Sequence, residues 1–198
     1  MIFHPTLSRC CKCLKATWMG CLAKRKRSRR DWRGLWGEWM KYLTGKEEQE
    51  ALGYIEEAAK IAEQSGCHRS RCGSVIVKVG EIIGRGYNSP PLHQILESCL
   101  KDTLPAAFKS DRTCCLHAEQ RAILDAAKTN PEKIAGSRLY FIRLDEQGTP
   151  QRAGQPYCTI CSKMVLDVGI AEFVLWHDEG IAVYDTLEYN LLSFGLKK

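Results

Sequence analysis

From residue 47 onward the apolar positions switch between two spacings, one helical and one alternating. Residues 47–64 carry Leu52, Ile55, Ala59 and Ile61 among acids and alanines and end near Gly66, which predicts a helix with a glycine stop. Residues 74–79 and 81–87 are rich in β-branched side chains and turn at Gly80, so they predict a β-hairpin. Residues 90–111 contain Pro90, Pro91 and Pro105 and hold no period; an irregular insertion of this length is usually functional. Beyond it, 117–128 and 159–168 read as helices, the second stopping at Gly169, while 136–142 and 170–176 read as strands. Helices alternating with strands predict an α/β domain over 47–198, built in α/β/α layers. Its central sheet is mixed rather than purely parallel because of the opening hairpin.

Residues 1–46 differ in kind. Cys10, Cys11, Cys13 and Cys21 precede the run Lys24-Arg25-Lys26-Arg27-Ser28-Arg29-Arg30, and Trp32, Leu35, Trp36, Trp39, Met40 and Leu43 fall on one helical face. That pattern allows an amphipathic basic segment at a membrane surface. A solvated tail, or an over-long start with Met40 as the natural beginning, are the plainer readings.

The net charge of +6 shares this asymmetry. Residues 1–39 hold ten Lys or Arg against two acids, a balance of +8, which leaves 19 basic against 21 acidic residues and −2 for the rest. A near-neutral body argues against a broad nucleic-acid surface unless the basic tail supplies it, since many phosphate contacts provide most non-specific affinity. Small anionic substrates stay open. Every candidate run is broken short of the roughly 18 to 20 apolar residues of a membrane-spanning helix. Eleven cysteines accompany no apolar leader, because Arg9, Lys12 and Lys15 interrupt the first residues. A soluble, cytoplasmic protein is expected, whose clustered thiols bind metal or do chemistry rather than form disulfides.

Three short motifs carry the candidate chemistry: Gly86-Tyr87-Asn88, His117-Ala118-Glu119 and Cys158-Thr159-Ile160-Cys161. The Cys-x-x-Cys spacing lets two thiolates meet one tetrahedral zinc, at a helix start whose amides favour the thiolate form. A neutral imidazole from His117 would be a third ligand and leave the fourth position for water, as in catalytic zinc sites. Glu119, two residues on, is the candidate proton carrier. A plainer alternative pairs Cys158 and Cys161 with Cys67 and Cys72 in a structural four-thiolate zinc, with His117 and Glu119 an ordinary helix start.

A His-x-Glu opening one helix and a Cys-x-x-Cys opening the next, with a strand between, is similar to the zinc-dependent cytidine and deoxycytidylate deaminases. The likeness covers about residues 47–190 and leaves the tail unexplained. Within that family the runs Cys67-His68-Arg69-Ser70-Arg71-Cys72-Gly73, Gly86-Tyr87-Asn88-Ser89-Pro90 and Cys161-Ser162-Lys163, with Tyr184 and Tyr189, resemble deoxycytidylate deaminases. Transfer RNA adenosine deaminases look different after the second cysteine.

The resemblance implies a layered α/β/α cytidine-deaminase-like fold with a central mixed sheet of about five strands, and one catalytic Zn2+ on His117, Cys158 and Cys161. Glu119 would be general acid and base, Asn88 a contact to the substrate sugar, and the Ala118 amide a donor to the base carbonyl. The reaction implied is hydrolytic deamination of a small cytosine nucleotide, dCMP + H2O to dUMP + NH3, by a homo-oligomer. One departure from the family pattern is Tyr157, which separates Pro156 from Cys158 and bears on the backbone beside the base rather than on the metal. Some deoxycytidylate deaminases also hold a second, structural zinc. Here Cys67, Cys99 and Cys114 are its candidate ligands, with Cys72, His93 and Cys115 in reserve, and such a site would pin the insertion. The alternatives are a transfer RNA adenosine deaminase and a non-catalytic zinc-stabilised binding module, which would need no acid beside its metal.

Overall fold

A computed structural model of the protein describes residues 40–105 and 114–195. The expectations for residues 1–39 and for 106–113 of the insertion lie outside these. Strands β2 (Arg71–Lys78) and β3 (Glu81–Tyr87) form the expected hairpin. Val79 and Gly80 close it, both at positive φ (49° and 79°), the turn that matches strand twist.

The sheet is completed by β4 (Arg138–Leu144), β6 (Glu172–His177) and β7 (Gly180–Asp185), with the two-residue strands β1 (Lys41–Tyr42) and β5 (Pro150–Gln151). Its order is β1-β7-β6-β4-β2-β3, with β5 pairing β4 beside that path. Among the described residues the strand count is therefore seven rather than about five, and the surplus is β1 and β5, which are too short to show a period in sequence. The sheet is mixed as expected: β4 and β6 run parallel and every other pair is antiparallel.

Both faces are covered. Helix α1 (Gly45–Ala62) packs Ala51, Ile55 and Ala58 on Val75, Val77, Tyr140, Ile142, Val174, Ile181 and Val183. Helices α2 (Ala118–Thr129), α3 (Thr159–Asp167) and α4 (Thr186–Ser193) cover Ile76, Leu139, Phe173, Leu175, Ala182 and Tyr184 on the opposite face. Neighbouring strand residues thus feed opposite cores, so the strands read as continuous apolar runs. The helical spacing that reaches Met40 and Leu43 is not realised at its described end. Lys41 and Tyr42 pair with Val183 and Ala182, the Leu43 amide donates to the Ile181 carbonyl at 2.8 Å, and Leu43 is buried.

Two features of the packing place the site. A Cβ on Gly84 would lie 2.5 Å from the Ala122 carbonyl oxygen, and one on Gly86 would overlap the Ala118 carbonyl, so α2 rests directly on β3. The parallel β4–β6 pair requires a crossover, and α3 is its helix. Helix α3 ends at Asp167, and Val168 caps it before Gly169 at φ 80°. The described insertion holds only short turns, one at Pro91–His93 whose Leu92 and His93 have positive φ, and a 3-10 turn at Leu100–Thr103. Arg69 pairs with Asp102 at 2.6 Å, and the His68 ring donates to the Leu96 carbonyl at 2.7 Å. Among the described residues no helix is long and apolar enough to cross a membrane.

Candidate active site

Two helix starts converge. His117 is the residue before α2 and Cys158 the residue before α3, both with extended backbone (φ −75° and −80°), which folds each side chain over the first turn of its helix. The His117 amide donates to Gln120 Oε1 at 2.9 Å, and the Cys161 amide donates to Cys158 Sγ at 3.4 Å. Cys161 stands three residues further along α3 and so faces the same way as Cys158. His117 Nδ1 lies 3.3 Å from Cys158 Sγ and 3.2 Å from Cys161 Sγ.

The three donor atoms all lie within 4.8 Å of one another, and this is the one such His, Cys, Asp or Glu group among the described residues. One imidazole and two thiols suit zinc, and three protein ligands leave a position open. The alternative that pairs Cys158 and Cys161 with Cys67 and Cys72 is not what the fold gathers. The residues at the triad fit the ion that the sequence motifs imply.

Charge is arranged to match. The hydrogen bond from Cys161 pulls the Cys158 thiol down to about 4 against the opposing effect of burial, with His117 helping. The same bond, followed by burial, pushes Cys161 up, so the two thiols share one proton. The hydrogen bond with Cys158 raises His117, and burial opposes it. Glu119 is 5% exposed, and burial lifts its carboxyl above the ordinary range while His117 pulls the other way.

Asn88 lies at the end of β3. Its Oδ1 accepts from Ser65 Oγ at 2.8 Å and from the Cys72 amide at 2.7 Å, and its Nδ2 donates to the Ser70 carbonyl at 2.8 Å. One Nδ2 hydrogen remains. Ser89 and Leu116 exchange backbone hydrogen bonds of 3.3 and 3.0 Å, which ties the segment after Asn88 to the residue before His117. Ala118 is fully buried in the first turn of α2, where amides have no intrahelical acceptor. Tyr157 is 84% exposed. Tyr189 is buried behind the triad, stacked on Phe173 at 3.9 Å between centroids.

The remaining cysteines behave differently. Cys99 is buried beside Cys114, Cys114 Sγ lies 3.7 Å from Cys115 Sγ, and Cys115 adjoins Cys67. These four form a string of pairs. Cys72 stands apart beside Ser70, pushed up to about 12 by burial. His93 is engaged by Tyr87 and Arg121.

Two supporting residues escaped the sequence reading. Gln120 joins α2 to α3, since its amide also donates to Met164 Sδ at 3.5 Å, and its place three residues after the helix cap is the capping-box spacing that could have revealed it. Ser65, 23 residues from Asn88, carries no such signal.

Residues 48–177 match the family described as the cytidine and deoxycytidylate deaminase zinc-binding region. The deoxycytidylate deaminase of Saccharomyces cerevisiae is 31% identical over 126 residues, 61% of this chain and 35% of that protein. That of Mycobacterium phage D29 is 30% identical over 129 residues, 61% of this chain and 89% of that protein. The chain thus spans about a third of its yeast relative and most of its phage relative. A crystal structure of the dCMP deaminase of cyanophage S-TIM5 with dCMP and dUMP shares 27% identity, covering 66% of this chain and 82% of that one at a TM-score of 0.46. With its His-x-Glu and Cys-x-x-Cys motifs inside the matched region, the chain belongs to the cytidine and deoxycytidylate deaminase family.

Proposed function

We propose that the protein is a zinc-dependent hydrolase that deaminates a cytosine nucleotide, converting dCMP and water to dUMP and ammonia. The observation that carries this is Glu119, a carboxyl buried two residues from His117 where the chain gathers one imidazole and two thiols. The curated relatives, named deoxycytidylate deaminases, support the choice of nucleotide.

His117, Cys158 and Cys161 would hold the zinc, which as a Lewis acid brings the pKa of water toward neutrality and so supplies the nucleophile. Glu119 would accept one proton from that water and pass it to N3 of cytosine as C4 is attacked, then take the remaining proton from the added oxygen and hand it to the amino group, so that C4=O forms as the C4–N bond breaks and ammonia leaves. Burial that lifts the Glu119 pKa suits a group that must both take and return protons near neutral pH. The first-turn amide of Ala118 donates to the base carbonyl, and the remaining Nδ2 hydrogen of Asn88 to a sugar hydroxyl.

The deaminase unit, expected over 47–198, also takes in strand β1 and the first residues of α1, which the expected tail of 1–46 would exclude, and it is assigned to a cytoplasmic homo-oligomer. The seven free cysteines among the described residues support a reducing compartment. A second, structural zinc is proposed at Cys67, Cys99 and Cys114, with Cys115 as a neighbouring thiol. Zinc content tests it, since two ions per chain are expected and one would refute it.

Ammonia release measured on dCMP, CMP, cytidine, cytosine and an adenosine-bearing anticodon stem tests the function. Turnover of dCMP above the others is expected. Turnover of the RNA alone would replace the proposal with adenosine deamination, and full zinc occupancy without turnover of any of them would leave a binding module.

A further inference from the structure

Arg121 stands two residues after Glu119 on α2, yet it points away from the triad toward the segment that follows Asn88. Its Nη2 donates to the Pro90 carbonyl at 2.7 Å and to the Ser89 carbonyl at 3.3 Å, and its Nη1 donates to His93 Nε2 at 3.2 Å. Because a guanidinium only donates, His93 Nε2 must be the bare nitrogen, and Nδ1 then carries the hydrogen that Tyr87 Oη accepts at 2.7 Å. The imidazole is held between β3 and α2.

The backbone records the pull. Leu92 and His93 both have left-handed φ (56° and 57°), a conformation that side chains avoid because Cβ crowds the carbonyl oxygen. Among the described residues Arg121 Nε is buried without a partner, so the pose is not one that satisfies the guanidinium best. Leu92 gains nothing from it either, being 88% exposed. An unpaired donor and two strained residues are tolerated in order to fix one short segment. That segment adjoins Asn88, whose own amide is fixed from the opposite side by Ser65, Ser70 and Cys72.

We propose that Arg121, acting through His93 and the Ser89 and Pro90 carbonyls, is a positioning residue that locks the 88–93 segment over the nucleotide site. It thereby sets substrate affinity rather than the chemical step. The inference rests on the deaminase reading only for the role of Asn88; the clamp itself is a property of the free protein.

The test uses full-length protein loaded with zinc, as wild type, Arg121→Ala, Arg121→Lys, His93→Ala and the Arg121→Ala/His93→Ala double variant. Without nucleotide, Arg121→Ala and His93→Ala should speed amide hydrogen exchange in residues 88–93 while zinc content stays at the wild-type level. On dCMP, Arg121→Ala should raise KM by about tenfold, the scale of one lost charge-assisted hydrogen bond, with kcat little changed. Arg121→Lys, whose single ammonium cannot reach all three acceptors, should fall between. The double variant should be no worse than Arg121→Ala, because both changes break one clamp. Unchanged exchange in 88–93, additive effects, or a loss confined to kcat would overturn the proposal. Should Arg121→Ala not fold, Arg121→Lys and the exposed-loop variant His93→Ala still decide it. Exchange that responds as expected in a protein without dCMP turnover would keep the clamp and discard the deaminase reading.

Discussion

Two groups of thiols in this fold show what gathers a metal. Cys158 and Cys161 meet His117 because two helices begin at the same place: each first turn is fixed by hydrogen bonds to its neighbours, and the donors lie within 4.8 Å of one another. Cys67, Cys99, Cys114 and Cys115 come from a loop and an insertion, with contacts that run from Cys99 to Cys114, Cys114 to Cys115 and Cys115 to Cys67. The first group is pre-organised by secondary structure, with one thiol already poised as the thiolate. In the second, a metal would tie together thiols that no shared pair of helix starts presents. Cysteine number says little about affinity, and the element that presents each cysteine says much.

This contrast predicts graded effects. Cys158→Ser should abolish catalytic zinc binding and activity together, beyond the ~100-fold that loss of a supporting partner costs. Cys114→Ser should instead leave turnover intact and remove only the zinc proposed for the insertion, so metal analysis beside activity separates the two groups. Gly86→Ala should destabilise the fold by about 3 kcal/mol, because the new Cβ meets backbone rather than a yielding side chain. Chemical denaturation measures that cost, and zinc titration should show weakened binding as α2 and His117 shift.

A subtler effect is the proton count on zinc uptake. Near neutral pH the release should be about one proton, from Cys161, because Cys158 has already lost its own. Since its partner thiol raises His117, the count should climb toward about two as the pH falls through the His117 titration, and zinc affinity should fall with it. Calorimetry in buffers of different ionisation enthalpy reads this number. Smallest of all, deletion of residues 1–39 should leave turnover of dCMP unchanged; a loss confined to an RNA substrate would make the tail a nucleic-acid arm.

The long elements and the triad were legible because each rests on local information. Apolar period marks the helices and long strands, and the two motifs sit at predicted helix starts, where side chains face a neighbouring terminus. What was hidden depends on contacts between distant residues. Two-residue strands such as β1 have no period to read, and Leu43 is buried through pairing with β7 rather than through a helical face. Ser65 reaches Asn88 only after the chain has folded. His177 offers no motif, yet its buried ring donates to the Ala153 carbonyl at 3.0 Å and accepts from Tyr184 at 2.8 Å, which fixes the connection leading to Cys158. The late tyrosines carried the family likeness, while their role as packing behind the triad emerged only with the fold.

The deaminase function proposed for this chain requires Glu119 to move the protons of a hydrolytic deamination at a site whose metal it does not hold. Ammonia release from dCMP by wild type and Glu119→Ala, with zinc quantified in both, tests it most directly. The variant should keep the wild-type zinc content and lose about 10²- to 10⁴-fold in turnover. Equal turnover in a preparation free of contaminating deaminase, or loss of the zinc along with the activity, would contradict it.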